Sequence, residues 1–417
     1  MSKTIQRVLV LGYVWPEPDS SAAGRHMVSL LKSFRAQGWE VVFASAAQRS
    51  EHQIDLGELG IEQHAVALNC SSFDRFVAQL SPDMVLFDRF MLEEQFGWRV
   101  RQQCPDALQV IDTEDLHSLR DARHSAHKQD RAMTDDDLMG DKLYRELAAI
   151  LRADLSLIIS AHEVALLERL GVPAHQLHHC PFILDRQRHY PAPGYDQRKG
   201  FVSIGNFRHA PNWDAVLWLK QQIWPAIRRQ LPGATLHVCG AYPPPKATQL
   251  HAPKDGFLVE GWVDDAYQTI AQHRVLLAPL RFGAGLKGKL VDAMLTKTPS
   301  VTTPIGLEGL GDAAHWPGAV GHTDDEIIDA AIALHEIPQQ WQQASERCEP
   351  LLAGRFAPQP VIDGLIHRLT ATKAELAAHR RRCVLGQMLQ HHSLKSTQYM
   401  GQWIEAKQRH NASDTNN

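Results

Sequence analysis

The chain has 417 residues, of which 44% are hydrophobic and 22% charged, and its formal net charge is −4. That length exceeds one ordinary domain and suggests two or three, and the charge balance gives no reason to expect a nucleic-acid partner. Six cysteines (Cys70, Cys104, Cys180, Cys239, Cys348, Cys383) are scattered without a CxxC pair, the pattern of reduced structural thiols in a cytoplasmic protein. No stretch carries the ~20 apolar residues that span a bilayer. Any membrane contact is therefore expected to be peripheral, at the inner face.

The opening MSKTIQRVLVLGYVW is basic, but its apolar run is too short for a secretory leader. It reads as a first buried strand, Val8 to Gly12. Trp15-Pro16-Glu17-Pro18 breaks that strand, and the small-residue loop Ser20 to Arg25 follows. Met27, Leu30, Leu31 and Phe34 then recur at helical spacing, Gly38 closes the helix, and Val41 to Ala44 is the next strand. Strand, small-residue loop, helix and strand open a parallel α/β domain. Gly24 would sit at the carboxyl end of the first strand, where open α/β sheets bind ligands. The loop is not a GxGxxG, so the dinucleotide fingerprint is lacking.

Further strands are expected at Met84 to Phe87 and Leu108 to Ile111. The second runs into DTEDLHSLR, Asp112 to Arg120. Those residues suit an active-site edge, with His117 as acid, base or sugar-hydroxyl partner. They equally suit a plain helix start with Asp112 or Thr113 as N-cap. Asp135-Asp136-Asp137 reads as a solvated loop before a helix starting near Leu143, not as a metal site. Asp154 to Ser160 is a strand, followed by a helix to Leu170. His178, His179 and Cys180 have no fourth partner at zinc spacing and read as structural.

Arg186 to Lys199, rich in Pro, Arg, Gln and Gly, is the candidate linker between a first domain (1–185) and a second (200–355). The second α/β pattern opens with strand Phe201 to Ile204 and the loop GNFRHAPNWD. Strands Thr235 to Cys239 and Phe257 to Gly261 follow. Its central unit is VLLAPLRFGAGLKGKLVDAMLTKTPSVTTPIGLEGL, Val275 to Leu310: a strand, a loop holding Gly283, Gly285 and Gly288, a helix, a strand and a second loop. Such glycines are often only turns. They also let a backbone approach a ligand, and the helix N-terminus behind them is a natural phosphate seat. Lys287 and Lys289 add positive charge, and Asp292 and Glu308 could accept hydrogen bonds from ribose or sugar hydroxyls. Residues 356–417 are expected to be helical, with Ala371 to Gln408 as one long helix or two, Arg380, Arg381 and Arg382 exposed, and Asn411 to Asn417 disordered.

Taken together, GNFRHAPNWDAV (Gly205 to Val216), APLRFGAGLKGKLVDAM (Ala278 to Met294) and TPIGLEGL (Thr303 to Leu310) resemble the glycosyltransferases of family 4, also called group 1. DTEDLHSLR, ADLSLIISAHE and GWVDD support the resemblance, which runs from about Val8 to about Phe356. It implies the GT-B fold: two Rossmann-like domains facing a cleft, with a helical C-terminal tail. It implies a nucleotide-sugar donor held mainly by the second domain, and a glycan or lipid-linked acceptor held mainly by the first. Transfer would retain the anomeric configuration and need no tightly bound metal or other cofactor.

Residue by residue, the resemblance gives Arg208 and Lys287 the donor-phosphate positions, Asp292 the ribose contact, and His117 a place near the sugar. Gly24 would approach the donor phosphates from the first domain. Gly205, Asn206, His209, Gly285, Lys289, Glu308 and Gly309 fall in the donor motifs, and Arg25, Glu114, Asp115 and Arg120 in the acceptor or sugar edge. One departure stands out. The family's pattern is Glu, seven residues, Glu; here the second position is Asp292 and the first is Ala284. The sugar would have to be held by other groups, such as the amides of Phe282 to Gly285. The alternative expectation is a degenerate GT-B protein that binds nucleotide sugar or glycan without transfer.

Overall fold

The computed structural model describes residues 4–185 and 188–414. Arg186 and Gln187 of the expected linker, and 415–417 of the expected disordered end, lie outside the described residues. Seven parallel strands form the first sheet: β1 (Arg7–Gly12), β2 (Glu40–Ser45), β3 (Glu62–Ala65), β4 (Met84–Asp88), β5 (Leu108–Asp112), β6 (Leu155–Ile158) and β7 (Leu177–His179). Their order is β3-β2-β1-β4-β5-β6-β7. The second sheet has six: β8 (Phe201–Ile204), β9 (Leu236–Cys239), β10 (Phe257–Gly261), β11 (Val275–Ala278), β12 (Ser300–Thr302) and β13 (Gly318–Val320). Its order is β10-β9-β8-β11-β12-β13. In both sheets the order reverses between the first and fourth strands, the point where doubly wound sheets leave a crevice at their carboxyl ends.

The central strands, such as β1 and β4, are built on unbroken apolar runs because helices cover both faces of a parallel sheet. Val8 to Leu11 and Met84 to Phe87 are fully buried. Helix Ala22–Ala36 starts where Ser21 Oγ accepts from the Gly24 amide at 3.0 Å, and Gly38, at φ +77°, ends it as expected.

Several expectations need correction. Neither Asp112 nor Thr113 caps the next helix, His117–Lys128: Asp112 ends β5, and the Glu146 carboxylate takes the free amides of His117 and Ser118 at 2.9 and 3.0 Å. The aspartate run is not loop but the short helix Asp135–Leu138, started by a capping box at Thr134, with Asp137 paired to Arg131. The tail is three helices, Pro358–Ala374, Leu376–Arg382 and Val384–Asp414, and the last runs on through the four positions 411–414 where disorder is expected. Arg380 is not on an exposed face; it bonds the carboxylate of buried Asp154 at 2.7 and 2.8 Å. The tail packs back on the first domain, with Leu365 and Leu369 fully buried in that domain's core. Each such burial contributes about 1.5–3 kcal/mol.

Candidate active site

Every segment that meets at the centre of the molecule leaves the carboxyl end of a strand. Together they enclose a cavity of about 650 Å³ between the two sheets. From the first domain come the loop after β1, the residues after β4, and Glu114 to Arg120 after β5. From the second come the loops after β8, β9 and β10 and the glycine loop after β11. Gly24 and Arg25 line the wall beside Glu114, Asp115, His117 and Arg120. Facing them are Gly205, Asn206, Arg208 and His209, and then Gly285, Lys287, Lys289 and Asp292. Glu308 and Gly309 do not reach the wall. Glu308 lies behind the glycine loop, where Arg123 holds it at 2.7 and 2.8 Å and His162 at 3.1 Å.

Gly285 has φ +63°, and a Cβ there would stand 2.8 Å from the Asp115 Cβ. Only glycine brings this loop so close to the first domain. Its amide is not open to a sugar, contrary to the sequence expectation, because it donates to Glu163 Oε1 at 2.9 Å. The same oxygen accepts from the Leu116 amide at 3.0 Å, so one carboxylate ties the two domains' loops together. Burial, then the nearby Asp115, pushes the Glu163 carboxyl up to about 8. Ala284, at the position of the absent glutamate, is buried with Leu116 and Leu119 and offers the cavity no polar group.

Lys287 and Lys289 flank the first residue of helix Gly288–Leu295. Lys287 Nζ donates to the Gly285 carbonyl at 2.7 Å, and Lys289 Nζ to Asn212 Oδ1 at 2.8 Å. Burial pushes both ammonium groups down to about 8, against the pull of Glu308 and Glu163 on Lys287 and of Asp292 on Lys289. Lys287 is buried and Lys289 half-buried, and two such ammonium groups beside a helix N-terminus form an anion seat. Arg208 also lines the cavity, its guanidinium 3.5 Å from the centre of the Tyr242 ring.

The first-domain edge is acidic. Burial, then Asp88, raises Asp112 to about 7, and burial, then Asp112, raises Glu114 well above the usual carboxylate range. Asp115 behaves in the opposite way: against burial, Arg120 first and then His117 hold it down at about 2. His117 Nε2 lies 3.5 Å from Asp115 Oδ1, and burial lowers the imidazole to about 4, so it is neutral at physiological pH. Glu114 (φ +60°) and Arg89 (φ +74°) both adopt left-handed backbone in the wall. Held strain of this kind gathers at functional sites.

Sequence reasoning missed Glu17, Arg89, Tyr242, Trp262, Glu163 and Arg123. Glu17 Oε1 accepts from Tyr242 Oη at 2.9 Å, and His52 stacks on Trp262 with ring centres 3.9 Å apart, both across the cleft. Arg89 was findable, since DRF directly follows a strand. Nothing in the sequence marks Arg123 as a cross-domain residue. Among the described residues no group of three or more His, Cys, Asp or Glu is placed to hold a metal ion.

Two parallel Rossmann-like domains around such a cleft, with a helical tail, are the architecture known as the GT-B fold. Solved structures share the architecture. Anabaena Alr3699/HepE in complex with UDP-glucose superposes with a TM-score of 0.68 at 13% identity, over 88% of this chain and 99% of that one. Sucrose-phosphate synthase (tll1590) from Thermosynechococcus elongatus gives 0.66 at 16% identity, over 88% and 100%. The lipopolysaccharide outer core galactosyltransferase WaaB gives 0.56 at 13% identity, over 88% and 100%. At such identities the likeness speaks for the fold. No curated protein sequence matches the chain. Residues 198–337 match the family described as "Glycosyl transferases group 1". Residues 198–337 thus form a group 1 glycosyltransferase domain, set in a chain of the GT-B fold.

Proposed function

We propose that this chain transfers a sugar from a nucleoside-diphosphate donor, held against the second domain, to a hydroxyl of a glycan or lipid-linked acceptor held against the first. The observation that carries the reading is the pair of ammonium groups, buried Lys287 and half-buried Lys289, flanking a helix N-terminus in the cavity wall. As the bond between sugar C1 and the diphosphate oxygen breaks, negative charge grows on the departing phosphate. Lys287, Lys289 and Arg208 meet that charge without a metal, and it stabilises them in turn. The acceptor oxygen bonds C1 from the face the diphosphate leaves, its proton passes to the departing phosphate oxygen, and configuration is retained. Glu114, Asp115 and neutral His117 orient the acceptor and the sugar hydroxyls.

A uridine donor is the first choice, because the structurally similar HepE is described in complex with UDP and with UDP-glucose. Ala284 favours one other reading, donor binding without transfer, since the wall lacks a carboxylate at that position. A thermal-shift screen against UDP, GDP, ADP, dTDP and their sugars tests donor binding, because a ligand of the folded state raises its apparent stability. Consumption of the stabilising sugar nucleotide, followed by NMR with the product's anomeric configuration read out, then tests transfer. Stabilisation without consumption under any acceptor supports the binding-only reading. No stabilisation by any nucleotide overturns both.

A further inference from the structure

The last helix, Val384–Asp414, packs on the first domain against helices Asp141–Arg152 and Phe90–Gln103, and its described contacts fall on one face. Gly386 sits so close to the Leu151 carbonyl that a Cβ would fall 2.0 Å from it, and Gly401 meets Trp98. Gln390 Nε2 donates to the Arg152 carbonyl at 2.7 Å, and Glu405 accepts from the Ser71 amide at 3.1 Å. These four residues share an arc of about 100° of the helix. Val384, Leu385, Met388, Tyr399, Met400 and Trp403 occupy a separate arc of about 160°, along about 28 Å of helix. All six are 54–63% exposed, as much apolar surface as any segment of the described chain leaves in water.

Charge says what covers this stripe. Arg381 and Arg382, both exposed, stand at one end. Lys407 stands at the other, its ammonium 5.2 Å from the Trp403 ring centre. Between Leu376 and Gln408 the sequence has one carboxylate, Glu405, and it faces inward. A second copy paired by a two-fold axis would set Arg381 and Arg382 against Lys407, positive on positive, and no acid among the described side chains of the stripe offsets it. An anionic bilayer surface matches both features. Apolar side chains enter the acyl boundary, Trp403 and Tyr399 sit at headgroup level, and cations meet lipid phosphates. No helix among the described residues is long and apolar enough to cross a membrane, so the helix would lie flat.

We infer that Val384–Asp414 docks the protein on a membrane surface rich in anionic lipid. The test is co-sedimentation of the full chain with vesicles of phosphatidylcholine plus phosphatidylglycerol, and of phosphatidylcholine alone, at low and high salt. Binding is expected to the anionic vesicles and to weaken with salt. The variant Leu385→Gln/Met388→Gln/Trp403→Gln should bind roughly tenfold more weakly or worse, with far-UV circular dichroism and nucleotide-induced stabilisation unchanged. Arg381→Gln/Arg382→Gln leaves the apolar stripe intact and should lose mainly the preference for anionic lipid, so the test holds even where the triple variant misfolds. Failure of the wild-type chain to sediment overturns the inference. So does undiminished binding by the folded variants. A wild-type dimer by light scattering that the triple variant converts to monomer would assign the stripe to a second copy instead.

Discussion

Arg25 Nη2 of the first domain lies 2.6 Å from Asp292 Oδ2 of the second, joining the N-terminal turn of helix Ala22–Ala36 to helix Gly288–Leu295 across the cavity. Asp292, proposed to bind the donor ribose, is therefore already partnered. The ribose would have to share or displace Arg25, which couples nucleotide binding to the way the domains meet. Gly288 reinforces the contact: a Cβ there would come 2.3 Å from that of Ala22.

Asp292→Ala is expected to weaken nucleotide-sugar binding by about tenfold or more, since a hydrogen bond to a charged group contributes about 1.5–3 kcal/mol. Isothermal titration measures it. An unchanged affinity with a lowered melting temperature would leave Asp292 a domain-pairing role and nothing more.

Lys287 should set a pH limit on donor binding. Its ammonium is pushed down to about 8, and only the protonated form neutralises phosphate. Donor affinity should therefore fall as pH rises through about 8, and Lys287→Arg, which stays charged, should move that fall upward. Lys287→Ala should cost about 100-fold or more in turnover, the scale on which one charge-stabilising donor acts. Near-normal turnover would remove Lys287 from the phosphate site.

Glu163 gives a stability prediction with the opposite kind of group. Its carboxyl is raised to about 8, so between the unfolded value and 8 the folded chain binds the extra proton. Its contribution is fully present below the unfolded value near 4.3 and is lost as pH rises towards about 8. Both accepted bonds fall on Oε1, and Oε2 has no hydrogen-bond partner among the described residues. Glu163→Gln can therefore keep both bonds and stay neutral. Its melting temperature should match the wild type near pH 5 and exceed it near pH 8.5. A pH dependence equal to the wild type's would place the titration on other groups, such as Glu146, raised mainly by burial to about 7.

His117→Ala should lower transfer by about 100-fold if the imidazole positions or relays a proton, the usual range for such groups. The fold should survive, because Glu146 binds the backbone amides of His117 and Ser118, not the imidazole. Steady-state kinetics alongside thermal melts separate the two effects. Unfolding of the variant would mean that the ring, set edge-on to Phe90, serves packing instead.

The sequence by itself determined the two consecutive parallel α/β domains, most of their strands and the loops that supply much of the cavity wall. Parallel sheets are buried on both faces, so their strands are legible as apolar runs. Loops at strand carboxyl ends are where such sheets bind, so Gly24, Asp115, Arg208 and Lys287 could be picked out before any coordinates. Strands without a long apolar run, β3 (EQHA) and β13 (GAV), left no comparable mark. What only the tertiary structure decided was which charges meet. Arg123 finds Glu308 across 185 positions, Arg25 finds Asp292 across 267, and Glu163 binds loops of both domains. A charged side chain on a helix reads as solvated until the facing domain is in place. Whether Glu308 contacts a sugar or an arginine, and whether a lysine is hydrated or stripped of water, depends on how the two sheets face one another.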